Sequence, residues 1–174
     1  MIRTTMVLLS FLLSAPLLAQ LTPLDETRIA NARQILLITN DDWQEALHVY
    51  TEDAVYEEVI VKVEGKDEIR RFFSNMFANA DITLEITDEA YQGNTYFGKW
   101  IMKMNYKLVG SQRKLFTVEG ASMLKFREGE EKIYDHREFY NEASIYDKLP
   151  GFKQLFGMLR KTYIKRMGED AAQP

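Results

Sequence analysis

The chain has 174 residues, 46% of them hydrophobic, and a formal net charge of −4. That length and apolar content suit one domain with a real core rather than two, and a mildly acidic chain with no long single-sign block is a poor match for nucleic acid. The absence of cysteine excludes disulfides, thiolate metal sites, a cysteine nucleophile and a lipid on an N-terminal cysteine.

Residues 1–19 read as a secretory signal. Arg3 supplies the positive start, Met6 to Leu13 the apolar run, and Ala15, Pro16 and Ala19 the small-residue exit, with cleavage after Ala19. The apolar run is shorter than the ~20 residues a membrane span needs. A secreted or periplasmic product is expected, with its folded domain at 20–150.

Within that domain Thr22, Pro23 and Asp25 have the spacing of a capped helix start. Ile29, Ala32, Ile35 and Leu36 then form an apolar stripe. Asp42 and Glu45 repeat the capping-box spacing, and Trp43, Ala46, Leu47 and Tyr50 would be the buried side of a second helix. The segment "DAVYEEVIVKVEG" reads as one strand ending at Gly65. A third helix follows in "KDEIRRFFSNMFANA", where Ile69, Phe72, Phe73, Met76 and Phe77 recur at helical spacing.

After Asp81 the period changes to two. "ITLEITDEAYQ" leads through a Gly93–Asn94 turn into "TYFGKWIMKMNYKL", through a break at Gly110–Ser111 into "RKLFTVEGASMLKF", and through a turn at Gly129 into "IYDHREFYNEAS". Residues 151–174 read as an amphipathic C-terminal helix and tail. Phe152, Leu155, Phe156, Leu159 and Tyr163 share one side and lysines and arginines cover the rest. That helix would pack on the sheet or on a second subunit, or rest on an anionic membrane surface. Helices followed by an antiparallel run mean α+β, with three N-terminal helices laid on one face of a strongly curved, mainly antiparallel sheet. Such a cone leaves a pocket where the sheet curls away from its helices.

The chemistry concentrates on a few faces. Tyr56 and Glu58 share one face of the first strand, with Ile60. His136, Glu138 and Tyr140 share one face of the last, together with Tyr134. If both faces look inward, two carboxylates, an imidazole and phenols converge. Burial and a neighbouring like charge would make Glu58 or Glu138 a proton shuttle near neutral pH; the duller alternative is a structural hydrogen-bond network. On the middle strand Trp100, Met102, Met104 and Tyr106 alternate with Lys99, Ile101, Lys103, Asn105 and Lys107. Periodicity sends the Trp/Met face to the core and the lysines to water, while a pocket lined by Lys103 would need a partner anion. His48 and His136 with Glu58 and Glu138 lack any short zinc spacing, and a surface histidine is the simpler reading of His48. There is no Gly-rich phosphate loop, G-x-S-x-G nucleophile elbow or zinc signature.

"YTEDAVYEE", "GKDEIRRFF" and "MLKFREGEEKIYDHREFYNEASIY" resemble the SnoaL-like branch of the nuclear transport factor two-like superfamily, over roughly residues 25–150. The resemblance implies a cone-shaped α+β barrel, commonly a homodimer through the outer sheet, and no cofactor. Its members include ketosteroid isomerases, limonene epoxide hydrolases, polyketide cyclases, dehydratases and non-catalytic binding domains. Carried onto this chain, the epoxide hydrolase pattern falls on Tyr56, Glu58 and Glu138, with Lys103 and Asn105 on the middle strand. An amide at Asn105 cannot donate the acid's proton. The isomerase pattern falls on Glu58 as base, near Gln34, and on Ser122. The two patterns disagree about which face of the middle strand looks inward, so Trp100 as well as Lys103 and Asn105 remain candidates for contact with a ligand. The function implied is binding of a small apolar, polyketide- or steroid-like molecule, with acid–base catalysis by Glu58, Glu138, Tyr56 and His136 and contacts from Tyr140, Lys103, Asn105, Trp100 and Ser122. The alternative is a non-catalytic ligand-binding or interaction module.

Overall fold

The computed structural model describes residues 21–107 and 113–141, together with Met158, Lys161 and Thr162. Helix α1 (Pro23–Leu36) begins as its sequence dictates. The Asp25 N–H donates to Thr22 Oγ1, the Thr22 N–H donates to the Asp25 carboxylate, and Pro23 opens the first turn. Besides Ala32, Ile35 and Leu36, α1 buries Arg28. That guanidinium donates to the carbonyls of Arg127 and Glu130, to the Tyr91 hydroxyl and to Asn94 Oδ1. A buried charge so fully bonded carries little desolvation penalty, and it pins α1 to two hairpin turns.

The expected second helix is shorter than its pattern. Helix α2 (Trp43–Ala46) gives way to a 3-10 turn (Leu47–Val49), and strand β1 (Tyr50–Glu57) already starts at Tyr50. Asp42 turns backward to accept from the N–H and hydroxyl of Thr39 and caps nothing ahead of it. Val49, Tyr50 and Thr51 favour extended backbone. The single strand expected next is a hairpin. β1 ends at Glu57, the Glu58 N–H donates to the Val61 carbonyl at 2.8 Å, and β2 (Lys62–Glu64) returns antiparallel. The β-branched run contains neither glycine nor proline to mark that turn.

Gly65, at φ +90°, leads into α3 (Lys66–Asn79), which buries Ile69, Phe73 and Phe77. Then come β3 (Ala80–Gln92), β4 (Thr95–Lys107), β5 (Arg113–Phe126) and β6 (Ile133–Tyr140). The sheet order is β2-β1-β6-β5-β4-β3, with β1 parallel to β6 and every other pair antiparallel.

The architecture is therefore α+β, with a six-stranded sheet and three helices among the described residues. The expected cone-shaped barrel is corrected to an open sheet, because β2 and β3 end it and do not pair. Helix α3 compensates. It leaves β2 at one edge, enters β3 at the other, and packs on β1, β2 and β3. At 1.5 Å per residue it is about 21 Å long, close to the ~24 Å that five strand spacings cover. The core lies between α1, α3 and the inner face of the sheet, with Leu47, Val49, Ile69, Leu124 and Ile133 almost wholly buried. The leader expected at 1–19 and most of the helix and tail expected at 151–174 lie outside the described residues.

Candidate functional site

A cavity of about 430 Å³ sits between α3 and the sheet. Most of its wall is apolar: Ile35, Leu36, Phe72, Phe73, Met76, Phe77, Ile82, Leu84, Met102 and Met104. Its polar side is built by Tyr56, Glu58, Trp100, His136, Glu138 and Tyr140. Methionines with three rotatable bonds adapt to irregular shapes, so this wall fits an apolar body while the polar side fixes its orientation.

Strand β4 settles which face looks inward. Trp100, Met102, Met104 and Tyr106 line the cavity. Lys103 and Asn105 do not. They lie with Asp81 and Leu115 along a separate surface depression, where Asn105 Nδ2 is 3.4 Å from Asp81 Oδ2. Strand alternation thus places Lys103 and Asn105, expected as ligand contacts, outside the cavity; turned inward, that face would have carried lysine head groups into an apolar interior. Gln34, the other carried-over position, is exposed on α1.

Trp100 reaches its place because β5 offers no side chain opposite it. A Cβ at Gly120 would lie 2.4 Å from the indole ring and 2.7 Å from the Phe139 carbonyl oxygen. The indole lies in that gap and its Nε1–H donates to Ser122 Oγ at 2.8 Å. Ser122 is buried and is not part of the cavity wall. Its hydroxyl passes the interaction forward, donating to Glu138 Oε2 at 2.7 Å.

Strand β6 brings its polar residues inward through a bulge. Lys125 pairs with Asp135 but Phe126 pairs with Ile133, so Tyr134 is skipped. Ile133 is then buried, and His136, Glu138 and Tyr140 face the cavity. Tyr134, expected with them by strict alternation, lies on the other side beneath the Arg127 guanidinium, 4.9 Å from ring centroid to carbon. His136 Nε2 is 2.7 Å from Glu138 Oε1, and His136 Nδ1 is 2.5 Å from the Tyr50 hydroxyl. Tyr140 donates to Glu58 Oε2 at 3.0 Å.

Tyr56 presents its ring edge-on to His136, with centroids 5.0 Å apart. Burial pushes its phenol pKa well up, and the charges of Glu138 and Glu58 and the phenols of Tyr50 and Tyr140 push the same way. Those five groups therefore share one electrostatic neighbourhood. No side chain or carbonyl among the described residues takes the Tyr56 proton, so its O–H is a donor turned to the cavity.

Sequence reasoning thus placed Tyr56, Glu58, Trp100, His136, Glu138 and Tyr140 at one site. It put Ser122 in the right neighbourhood but one layer too far forward. It missed Tyr50, which was read as helix; as the first residue of β1 it has the same parity as Tyr56, and that was the available signal. His48 is exposed on the 3-10 turn, its Nδ1 against the Glu45 carbonyl, and does not line the cavity. No group of three metal-ligating side chains is found among the described residues.

No curated protein matches the sequence. Solved structures match the fold. A SnoaL-like polyketide cyclase candidate from Jannaschia sp. CCS1 superposes with a TM-score of 0.63 at 10% identity, over 76% of this chain and 97% of its own. A phenazine biosynthesis-related protein from Pseudomonas aeruginosa gives 0.62 at 14%, over 72% and 88%. A protein with a ketosteroid isomerase-like fold from Catenulispora acidiphila, crystallised with trimethylamine, gives 0.57 at 17%, over 70% and 90%. At these identities the likeness is one of fold. The model of the SnoaL-like domain matches residues 32–136 of this chain, well over half of it, and the protein belongs to that family.

Proposed function

We propose that this protein is a cofactor-free acid–base catalyst that takes a proton from carbon next to the carbonyl of a small, largely apolar molecule. One observation carries the reading: the polar side of the cavity offers a fixed acceptor and a free donor together. Glu138 is held from behind by Ser122 and His136, 10% exposed at its side chain. A carboxylate has about four acceptor sites, so lone pairs remain for the cavity. Tyr56 supplies the O–H.

In this reading Tyr56 donates to the carbonyl oxygen, Glu138 takes the α-proton, and the C–H electron pair forms the C=C bond of the enolate. Reprotonation at another carbon completes an isomerisation; attack of the enolate carbon on a second carbonyl completes a cyclisation. Glu58, held by Tyr140, lies beside this pair and adjusts its charge balance. The family, which spans polyketide cyclases and isomerases, is compatible with both outcomes. An epoxide-opening arrangement is unsupported, because Lys103 and Asn105 are outside the cavity.

The test is uptake of deuterium from heavy water into the α-carbon of β-tetralone, a bicyclic ketone small enough for this cavity. The wild-type protein is expected to accelerate uptake. Glu138→Gln should lower the rate roughly a hundredfold or more while β-tetralone affinity stays within a few-fold. Binding without accelerated uptake would identify a ligand-binding module instead.

We also propose export and pairing. The residues around Ala19 support removal of a leader, and the exposed Phe97 and Phe139 lie on strands flanking β5 and give the sheet an apolar outer patch. Native mass spectrometry of protein from the periplasm is expected to give a dimer of chains beginning at Gln20. A monomer, or a chain retaining residues 1–19, would refute the corresponding part.

A further inference from the structure

The buried residue without a role so far is Tyr50. Its phenol is 0% exposed and lies 2.5 Å from His136 Nδ1, on the far side of the imidazole from the cavity. Resting on the reading of Glu138 as the base, we propose that Tyr50 is a positioning residue: by donating its proton to His136 Nδ1 it fixes the imidazole with its own proton on Nε2, aimed at Glu138.

With Glu138 ionised, as a base must be, and the imidazole neutral, the donors and acceptors leave one assignment. Trp100 Nε1–H can only donate, so Ser122 Oγ accepts there and gives its proton to Glu138 Oε2. Glu138 Oε1 faces His136 Nε2. A carboxylate only accepts, so Nε2 bears the hydrogen. A neutral imidazole with its hydrogen on Nε2 has a lone pair on Nδ1, and the group facing that lone pair is the Tyr50 hydroxyl. Tyr50 keeps its proton, since burial and the charge of Glu138 both oppose phenolate formation. Two buried chains of donors, from Tyr50 through His136 and from Trp100 through Ser122, therefore converge on one carboxylate.

Two consequences follow. Both nitrogens of His136 are engaged, so the histidine orients Glu138 and does not itself exchange protons with a ligand. Both carboxylate oxygens are anchored, so the group is pre-aimed, which is where a misplacement of about 1 Å costs on the order of a hundredfold in rate. The groups that face His136 from the packed elements are Tyr50 and Tyr56 of β1 and Glu138 of β6. Lysine and arginine are missing from the described cavity wall, so a positive charge on the imidazole would have Glu138 as its partner.

The experiment is NMR of the full protein with heavy-nitrogen-labelled histidine, in the wild type and in Tyr50→Phe. Phenylalanine keeps the ring and removes the hydroxyl that faces Nδ1. The wild type is expected to show His136 as the neutral form protonated on Nε2, with a downfield, slowly exchanging N–H proton at neutral pH. In Tyr50→Phe that proton should exchange rapidly or vanish. Deuterium uptake into β-tetralone should fall on the order of tenfold to a hundredfold in kcat, with KM within a few-fold.

A wild-type His136 protonated on Nδ1 alone, or charged at neutral pH, would overturn the proposal without any variant. So would a Tyr50→Phe spectrum and kcat indistinguishable from wild type. Failure of the wild type to promote uptake would remove the catalytic reading instead, and the tautomer seen by NMR would still stand or fall separately.

Discussion

Tyr56 differs from Tyr140, Tyr96 and Tyr91 in what becomes of its proton. Tyr140 gives its own to Glu58, Tyr96 gives its own to Glu89, and Tyr91 gives its own to Asp25. Tyr56 has its proton available to a ligand, and its pKa lies well above the ordinary 10 through burial and the neighbouring carboxylates. A group whose folded pKa is raised contributes stability that is present below the unfolded value and lost only as pH passes the folded one. The donor should thus persist through the pH range in which a free tyrosine ionises. Tyr56→Phe is expected to lower kcat for β-tetralone exchange about ten- to a hundredfold, the worth of one hydrogen bond of ~1–3 kcal/mol. In the wild type no loss of ligand affinity should appear between about pH 9 and 10.5; a midpoint near 10 would assign Tyr56 an ordinary phenol. At this scale the sequence was readable where a side chain's face follows from strand parity alone, as for Tyr56, His136, Glu138 and Tyr140. It was unreadable where the partner lies on another strand. Ser122 lies opposite Glu138 across the β5–β6 ladder, and that pairing, not its own neighbours in sequence, makes it a support for the carboxylate.

Elements decide which residues those parities deliver to the cavity. Strand β4 carries two plausible inner faces, and the one bearing Trp100 is inward because Gly120 on β5 makes room for an indole. Gly120→Ala would drive a methyl group into that ring. The expected cost is about 1–3 kcal/mol, read as a lower urea midpoint, together with a shift in tryptophan fluorescence as the bond to Ser122 is lost. Unchanged stability would mean the ring moves aside freely. A second element-level device joins α1 to β3 and β4. Arg33 and Tyr96 both donate to Glu89, and its pKa falls to about 2, chiefly through Arg33. Because a lowered carboxylate pKa stabilises the fold above the unfolded value and is lost as pH falls through the folded one, this contribution should fade between pH 4.5 and about 2. Glu89→Gln should reduce stability at pH 7 by about 1 kcal/mol, discounted for the exposure of Arg33, and leave a flatter acid limb in urea titrations. An acid limb identical to wild type would remove that assignment. Two local features escaped the sequence for the same reason. The β1–β2 turn at 58–61 and the bulge at Tyr134 are imposed by pairing with neighbours, and neither has a glycine or proline to announce it.

At the scale of the molecule, the α+β class was legible from the change of period after Asp81, and most strand bounds followed from glycine-bearing turns at Gly93 and Gly129, both at positive φ. Closure of the sheet was not legible, since whether two edge strands meet depends on sheet twist and on what else can cover the gap. Here α3 covers it. That helix is at once the strap across the sheet's open side and the apolar wall carrying Phe72, Phe73, Met76 and Phe77. Its fourteen residues act as a ruler, setting the distance between the two edges and the height of the cavity together. A change in cavity size within this family by lengthening or shortening α3 would have to be matched at both ends of the sheet. Side-chain exchanges along the helix, such as Phe72→Ala or Met76→Ala, carry no such linkage. Diversification of the ligand is therefore channelled into the inner face of one helix, while its length is held by the sheet.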